Sequence, residues 1–158
     1  MIYIFDTSSI IVLCSSFYPS RFPTLWNHVN ALVANAQLLS VRDVKNELNS
    51  YHSNTKPAVV WANANPKIFT IPKANEMVTV ATILGDRKFK NVISQKQILA
   101  GRPFADPFVV AKAKEIGGTV VTQEVARPNS AKIPDICAYY NVACCDLEGF
   151  MISENLRF

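Results

Sequence analysis

Much is scarce in this 158-residue chain, and each scarcity removes a class of function. Glycine occurs five times and never as G-x-x-x-x-G-K, so no P-loop is present to cradle the phosphates of a nucleotide. The only histidines are His28 and His52. The four cysteines, Cys14, Cys137, Cys144 and Cys145, form no C-x-x-C pair and lie far from either histidine in sequence. That layout argues against a zinc centre. Cys14 and Cys137 are isolated within apolar helical patterns. Cys144 and Cys145 are adjacent and would point to opposite faces of a strand, so buried free thiols are expected rather than disulfides. The longest apolar run, Ile10 to Cys14, is too short to span a bilayer. The N-terminus has no basic region ahead of its apolar stretch, which Asp6 interrupts, so it does not read as a secretory signal. A soluble cytoplasmic protein with no membrane partner is expected.

What is present fits one ordinary domain spanning 1–158. Apolar residues make up 49% of the chain, enough for one core and too many for wholesale disorder. No internal repeat is evident. The net charge is +4, mildly basic, which permits a phosphate-rich partner without requiring one. The charge is uneven: Asp86 to Arg102 carries Arg87, Lys88, Lys90, Lys96 and Arg102 against a single acid. Alone, such a run reads as a solvated face.

The pattern of elements alternates. Residues 2–5 (IYIF) form a short apolar β-rich run that ends in Asp-Thr-Ser-Ser, a helix start. Helices are predicted from there to near Pro19, over Thr24–Ala36 and Val41–Tyr51, and across residues 57–64 and 74–84. Leu38 to Ser40 reads as a short strand. Phe104-Ala105-Asp106-Pro107 opens another helix, with Asp106 as its predicted N-cap and Gly117-Gly118 as its end. Thr119–Thr122 (TVVT) and Asn141–Cys145 (NVACC) read as strands. Pro134 opens a short helix between them, and a last helix starts at Leu147. Strands apolar on both faces and separated by helices imply an α/β sandwich with a parallel sheet. Ligands bind such sheets at the carboxyl ends of the strands. Asp6 ends the first strand, and Thr122-Gln123-Glu124 ends a later one.

Each acid has a plain structural reading. Asp6 and Asp106 can cap helices, and Glu47 sits at the edge of the stripe formed by Val44, Leu48 and Tyr51. Together they make an ordered set: strand–Asp, helix–Glu, Asp–helix, strand–Thr-x-acid. Carboxylates that converge at one sheet end repel each other, and a hard cation offsets that repulsion. Mg²⁺ and Mn²⁺ prefer oxygen ligands.

Here the sequence resembles the PIN-domain family. IYIFDTSSII is similar to its first motif, SVRDVKNEL to its second, and FADPFVVAKAKEIGGTVVTQE to its third with the following strand and acid. The resemblance runs in order over nearly the whole chain. It implies a PIN-like three-layer α/β/α sandwich and a metal-dependent endoribonuclease that hydrolyses RNA with one or two Mg²⁺ or Mn²⁺ ions. It also implies a VapC-like toxin of a type II toxin–antitoxin module with a cognate antitoxin protein, and a homodimer is a further expected assembly. The resemblance makes Asp6, Glu47 and Asp106 metal ligands. Glu124 takes the fourth place, where many members carry aspartate, with Asp135 as its rival. Ser8 and Thr122 resemble the hydroxyl residues that orient a carboxylate or water. On this reading Arg87, Lys88, Lys90 and Arg102 border the acids and hold the RNA backbone. Two rivals stand beside it. One is a catalytically inactive PIN-fold module that binds RNA or protein. The other is a haloacid-dehalogenase-like phosphatase, which would want a second aspartate where Ser8 stands.

Overall fold

The computed structural model describes residues 1–51, 53–90, 104–128 and 130–157. Five strands form one wholly parallel sheet. They are β1 (Tyr3–Phe5), β2 (Leu38–Val41), β3 (Phe69–Thr70), β4 (Thr119–Val121) and β5 (Ala143–Cys145), in the spatial order β3-β2-β1-β4-β5. The three residues of β1 are fully buried, as a central strand covered on both faces requires. Helices flank the sheet: α1 (Thr7–Ser16), α2 (Pro23–Ala34), α3 (Arg42–Tyr51), α4 (Pro57–Ala64), α5 (Ala74–Gly85), α6 (Arg87–Lys90), α7 (Asp106–Ile116), α8 (Ile133–Tyr139) and α9 (Leu147–Ser153). The predicted α/β/α architecture is the observed one.

The strand order fixes where a site can form. From β1 the chain leaves in one direction to β2 and β3, and it returns on the other side to β4 and β5. The connections after β1 and β4 therefore diverge, and a crevice opens between them at the carboxyl end of the sheet. Asp6 follows β1 directly, and Thr122 follows β4.

Two local expectations are corrected. The strand β3 was not predicted. It has two residues and follows a 3-10 turn at Pro66–Ile68, so it offers no alternating or apolar run to read. Asp106 is not an N-cap: Ala105 holds that position, Asp106 is the first helical residue, and no side chain caps the helix. The Asp106 carboxylate is thus not spent on its own helix. Asp6, by contrast, does cap α1, accepting from the Ser9 amide at 2.7 Å. The far end of α7 closes as predicted, with Gly117 in the left-handed region at φ 65°.

Packing ties the layers together. Tyr3 and Phe5 meet the Phe150 ring edge-on, with centroids 4.9 and 5.2 Å apart. The Tyr3 hydroxyl donates to Glu154 at 2.6 Å, and His28 Nε2 lies 2.8 Å from the other Glu154 oxygen. Helices α5 and α7 are pinned by a buried ion pair, Lys112 Nζ to Glu76 Oε1 at 3.0 Å. Helix α7 also touches β1, β2 and β4, so its first turn is held over the crevice. All four cysteines are free, but only Cys14 and Cys137 are buried. Cys144 and Cys145 are half-buried, which corrects the expectation for that pair. Among the described residues no helix is long and apolar enough to cross a membrane.

Candidate active site

Four of the predicted acids meet at the carboxyl end of the sheet, each delivered by a different segment. Asp6 is buried and fully engaged. It accepts from Ser8 Oγ at 2.7 Å, from Thr122 Oγ1 at 2.7 Å and from the Ser9 amide. Ser8 and Thr122 therefore do orient a carboxylate, from two strands' ends at once. Ser8 Oγ also accepts from the Gln123 amide at 2.9 Å, and Thr122 Oγ1 accepts from the Glu124 amide at 3.0 Å. The Gln123–Ser8 and Thr122–Asp6 bonds stitch the β1 and β4 connections across the crevice.

Glu47 comes from the second turn of α3. Its Oε2 accepts from the Thr7 hydroxyl and its Oε1 from the Ala105 amide at 2.9 Å. One carboxylate thus joins the three segments that carry Asp6, Glu47 and Asp106. Glu124 is bound on both oxygens as well: Oε1 accepts from Lys132 Nζ and Oε2 from the Ile133 amide at 2.9 Å. Among the described residues no hydrogen bond reaches the carboxylate of Asp106.

The electrostatics follow from that crowding. Burial, then the charges of Glu124, Glu47 and Asp6, push the Asp106 carboxyl up to about 8, opposed only in part by Lys132. Burial also raises Asp6, against the lowering effect of its hydrogen bonds from Thr122, Ser9 and Ser8. Glu47 is raised by burial and, more weakly, by Asp6 and Asp43, against bonds from Thr7 and Ala105.

Not every predicted residue joins this group. Asp135 turns to its own loop, taking the Ser130 hydroxyl and the Arg127 amide, the latter at 3.3 Å. Between the two candidates for the fourth acid, Glu124 is the one beside Asp106. Arg87 and Lys88 lie at the opposite, amino-terminal end of the sheet. There Lys88 Nζ stands 4.5 Å over the Tyr139 ring, at the far end of α8, and Phe89 packs on Tyr139 and Tyr140. The side chain of Lys90 and the whole of Arg102 fall outside the described residues.

Two residues at the site were not predicted. Lys132 enters through Glu124. Asp43 stands one helical turn before Glu47, where its charge acts on that acid, and among the described residues its buried Oδ2 has no hydrogen-bond partner. The i, i+4 spacing of Asp43 and Glu47 on one helix was a usable signal. Nothing in sequence placed Lys132 beside Glu124, because the loop between them folds back. A cavity of about 510 Å³, lined mainly by apolar atoms, opens next to Glu124 and Thr122 and reaches Pro134, Val142 and Cys144.

The donors suit a hard divalent cation by chemistry: they are all carboxylate oxygens, the ionisation of Asp106 is opposed by its neighbours, and among the described residues Asp43 Oδ2 is a buried acceptor without a partner. Among the described residues no three His, Cys, Asp or Glu side chains are placed to hold one ion by themselves. Mg²⁺ commonly takes one or two carboxylates and keeps several waters, and an open group of this kind matches that habit better than a closed cage.

A parallel sheet with its acids at this switch point defines the class: the fold is the PIN-domain, VapC-like fold. Two solved structures share it. VapBC2 of Rickettsia felis, bound to a DNA fragment from its promoter, aligns with a TM-score of 0.53 at 14% identity, covering 92% of this chain and 98% of that one. VapBC-1 of nontypeable Haemophilus influenzae aligns with a TM-score of 0.53 at 15% identity, covering 94% and 99%. The chain itself belongs to the family described as the domain of unknown function DUF4411, matched over residues 3–158. No curated protein matches it.

Proposed function

We propose that the chain is a metal-dependent ribonuclease that hydrolyses RNA phosphodiester bonds at the Asp6, Glu47, Asp106 and Glu124 group. The observation that carries this reading is Asp106: a half-buried carboxyl, pushed up to about 8 by desolvation and three neighbouring acids and met by no hydrogen bond among the described residues. A bound Mg²⁺ or Mn²⁺ would supply Lewis acidity and an activated water. Of Asp6, Glu47 and Asp106, one or two would ligate it directly and the rest would act through its water ligands. Ser8 and Thr122 fix the orientation of Asp6, and the Ala105 amide and Thr7 hydroxyl fix Glu47. The protein's part is to present preorganised negative charge where the ion and the scissile phosphate meet.

The VapBC assemblies that share the fold support a further step. We infer that the chain acts as the toxin of a two-component module, as a monomer or a homodimer, inhibited by an antitoxin protein. Copurification with the product of an adjacent small gene would test this.

One observation favours the rival, a PIN-fold module that binds without cleaving: both oxygens of Glu47 and Glu124 and the whole of Asp6 are already engaged within the protein. A cleavage assay separates the two. Single-stranded RNA should be cut with Mg²⁺ or Mn²⁺, left intact in EDTA, and left intact by Asp6→Asn and Asp106→Asn. Cutting that persists in EDTA or in both variants removes the metal mechanism. Binding without any cutting by the wild type establishes the rival.

A further inference from the structure

The connection from β4 to α8 puts a cation among the acids. Glu124 spends Oε1 on the Lys132 ammonium and Oε2 on the Ile133 amide at the start of α8, at 2.9 Å. An ion that took Glu124 as a ligand would have to displace a charge-assisted hydrogen bond, a helix cap, or both. The side chain of Lys132 is 48% exposed against 18% for Glu124, so the lysine is the more accessible of the two to an arriving ligand. Its three N–H donors exceed the one bond to Glu124, which leaves donors for an arriving phosphate.

Resting on the metal-dependent reading above, we propose that Lys132 supplies from within the chain the positive charge a second divalent ion would bring, so the acidic group takes one ion and not two. Lys132 is then a positioning residue. It neutralises Glu124 and offers a compact cation to the phosphate. The fourth acid remains in the group but is held by the lysine.

The experiment counts ions instead of cleavage. Metal-free protein is titrated with Mn²⁺, and free Mn²⁺ is followed by electron paramagnetic resonance, with folding checked by circular dichroism. The wild type is expected to bind one Mn²⁺ per chain. Lys132→Met, which frees the carboxylate, should bind two, and Lys132→Arg should return to one. Two ions in the wild type, or one in a folded Lys132→Met, overturn the proposal while leaving the metal mechanism standing. Should Lys132→Met fail to fold, Glu124→Gln decides. It keeps an acceptor for the Ile133 amide and should still bind one ion, whereas loss of binding would make Glu124 a ligand and overturn the proposal. A wild type that binds no Mn²⁺ removes the metal reading itself.

Discussion

Asp106 concentrates the chemistry of this molecule in one side chain. Its carboxyl is raised in the folded state from 3.8 to about 8, so between those values the folded chain holds a proton that the unfolded chain has lost. Stability then falls as pH rises through that window and levels off above it, because the unfolded state binds fewer protons than the native one. Without metal, the protein should melt higher at pH 5 than at pH 8. Asp106→Asn should flatten that dependence and raise the melting temperature at pH 8, and no cap is lost because none is made. A shift of at least about 2–4 °C is expected, the amount that ~1 kcal/mol gives in a protein of this size. Melting curves in EDTA at the two pH values check it, and a variant that keeps the wild-type slope would place the proton elsewhere. Thr122 carries the opposite expectation. Thr122→Val removes a 2.7 Å bond to Asp6 and should cost about 1–3 kcal/mol of stability, measured by urea unfolding, because the buried acceptor remains. Sequence reading reached Asp6, Ser8, Glu47, Asp106, Thr122 and Glu124 as one constellation because each ends or begins an element whose pattern is local. It missed Lys132, whose role depends on a loop that returns to Glu124, and it could not choose between Glu124 and Asp135 for the same reason.

The elements were legible where their patterns were long. The apolar stripe of α3, with Val44 and Leu48 wholly buried, and the Pro107-to-Gly117 signature of α7 are written in the order of residues. Strand β3 was not, since two residues held by pairing to Ser40 and Val41 have no period of their own. The docking of α5 on α7 was likewise hidden, although it positions Asp106. Its anchor is the pair Glu76–Lys112, with both side chains almost without exposure. Lys112→Met alone strands the Glu76 carboxylate and should destabilise the fold by about 3–5 kcal/mol. The double variant Glu76→Leu/Lys112→Met replaces the pair by apolar groups and should recover most of that deficit. Denaturant midpoints of the single and double variants decide the point: a double variant no better than the single would mean that the pair specifies the helix–helix packing itself.

At the scale of the whole molecule the four site acids and the described part of the basic run lie at opposite ends of the sheet. The acids gather at the carboxyl end of the sheet, and Arg87 and Lys88 stand at the other, beside Tyr139 and the Lys114–Tyr140 pair. Helix α7 spans the distance: 11 residues from Asp106 to Ile116, about 16 Å at ~1.5 Å per residue. The basic run therefore does not border the acids through its described part. It can assist only an RNA long enough to pass along the flank of the sheet from one end to the other. An oligonucleotide confined to the acid end should bind Arg87→Ala/Lys88→Ala and the wild type alike, with the same slope of log affinity against log salt. A longer single strand should bind the double variant more weakly, with a slope shallower by about 0.7 for each phosphate that the variant no longer neutralises. Cleavage at saturating RNA should be unchanged in both, because these groups lie far from the reacting bond. Equal slopes for the two proteins at every length would make the amino-terminal end a solvated face with no part in holding RNA. A shallower slope already present with the short oligonucleotide would mean that these cations reach the acid end after all.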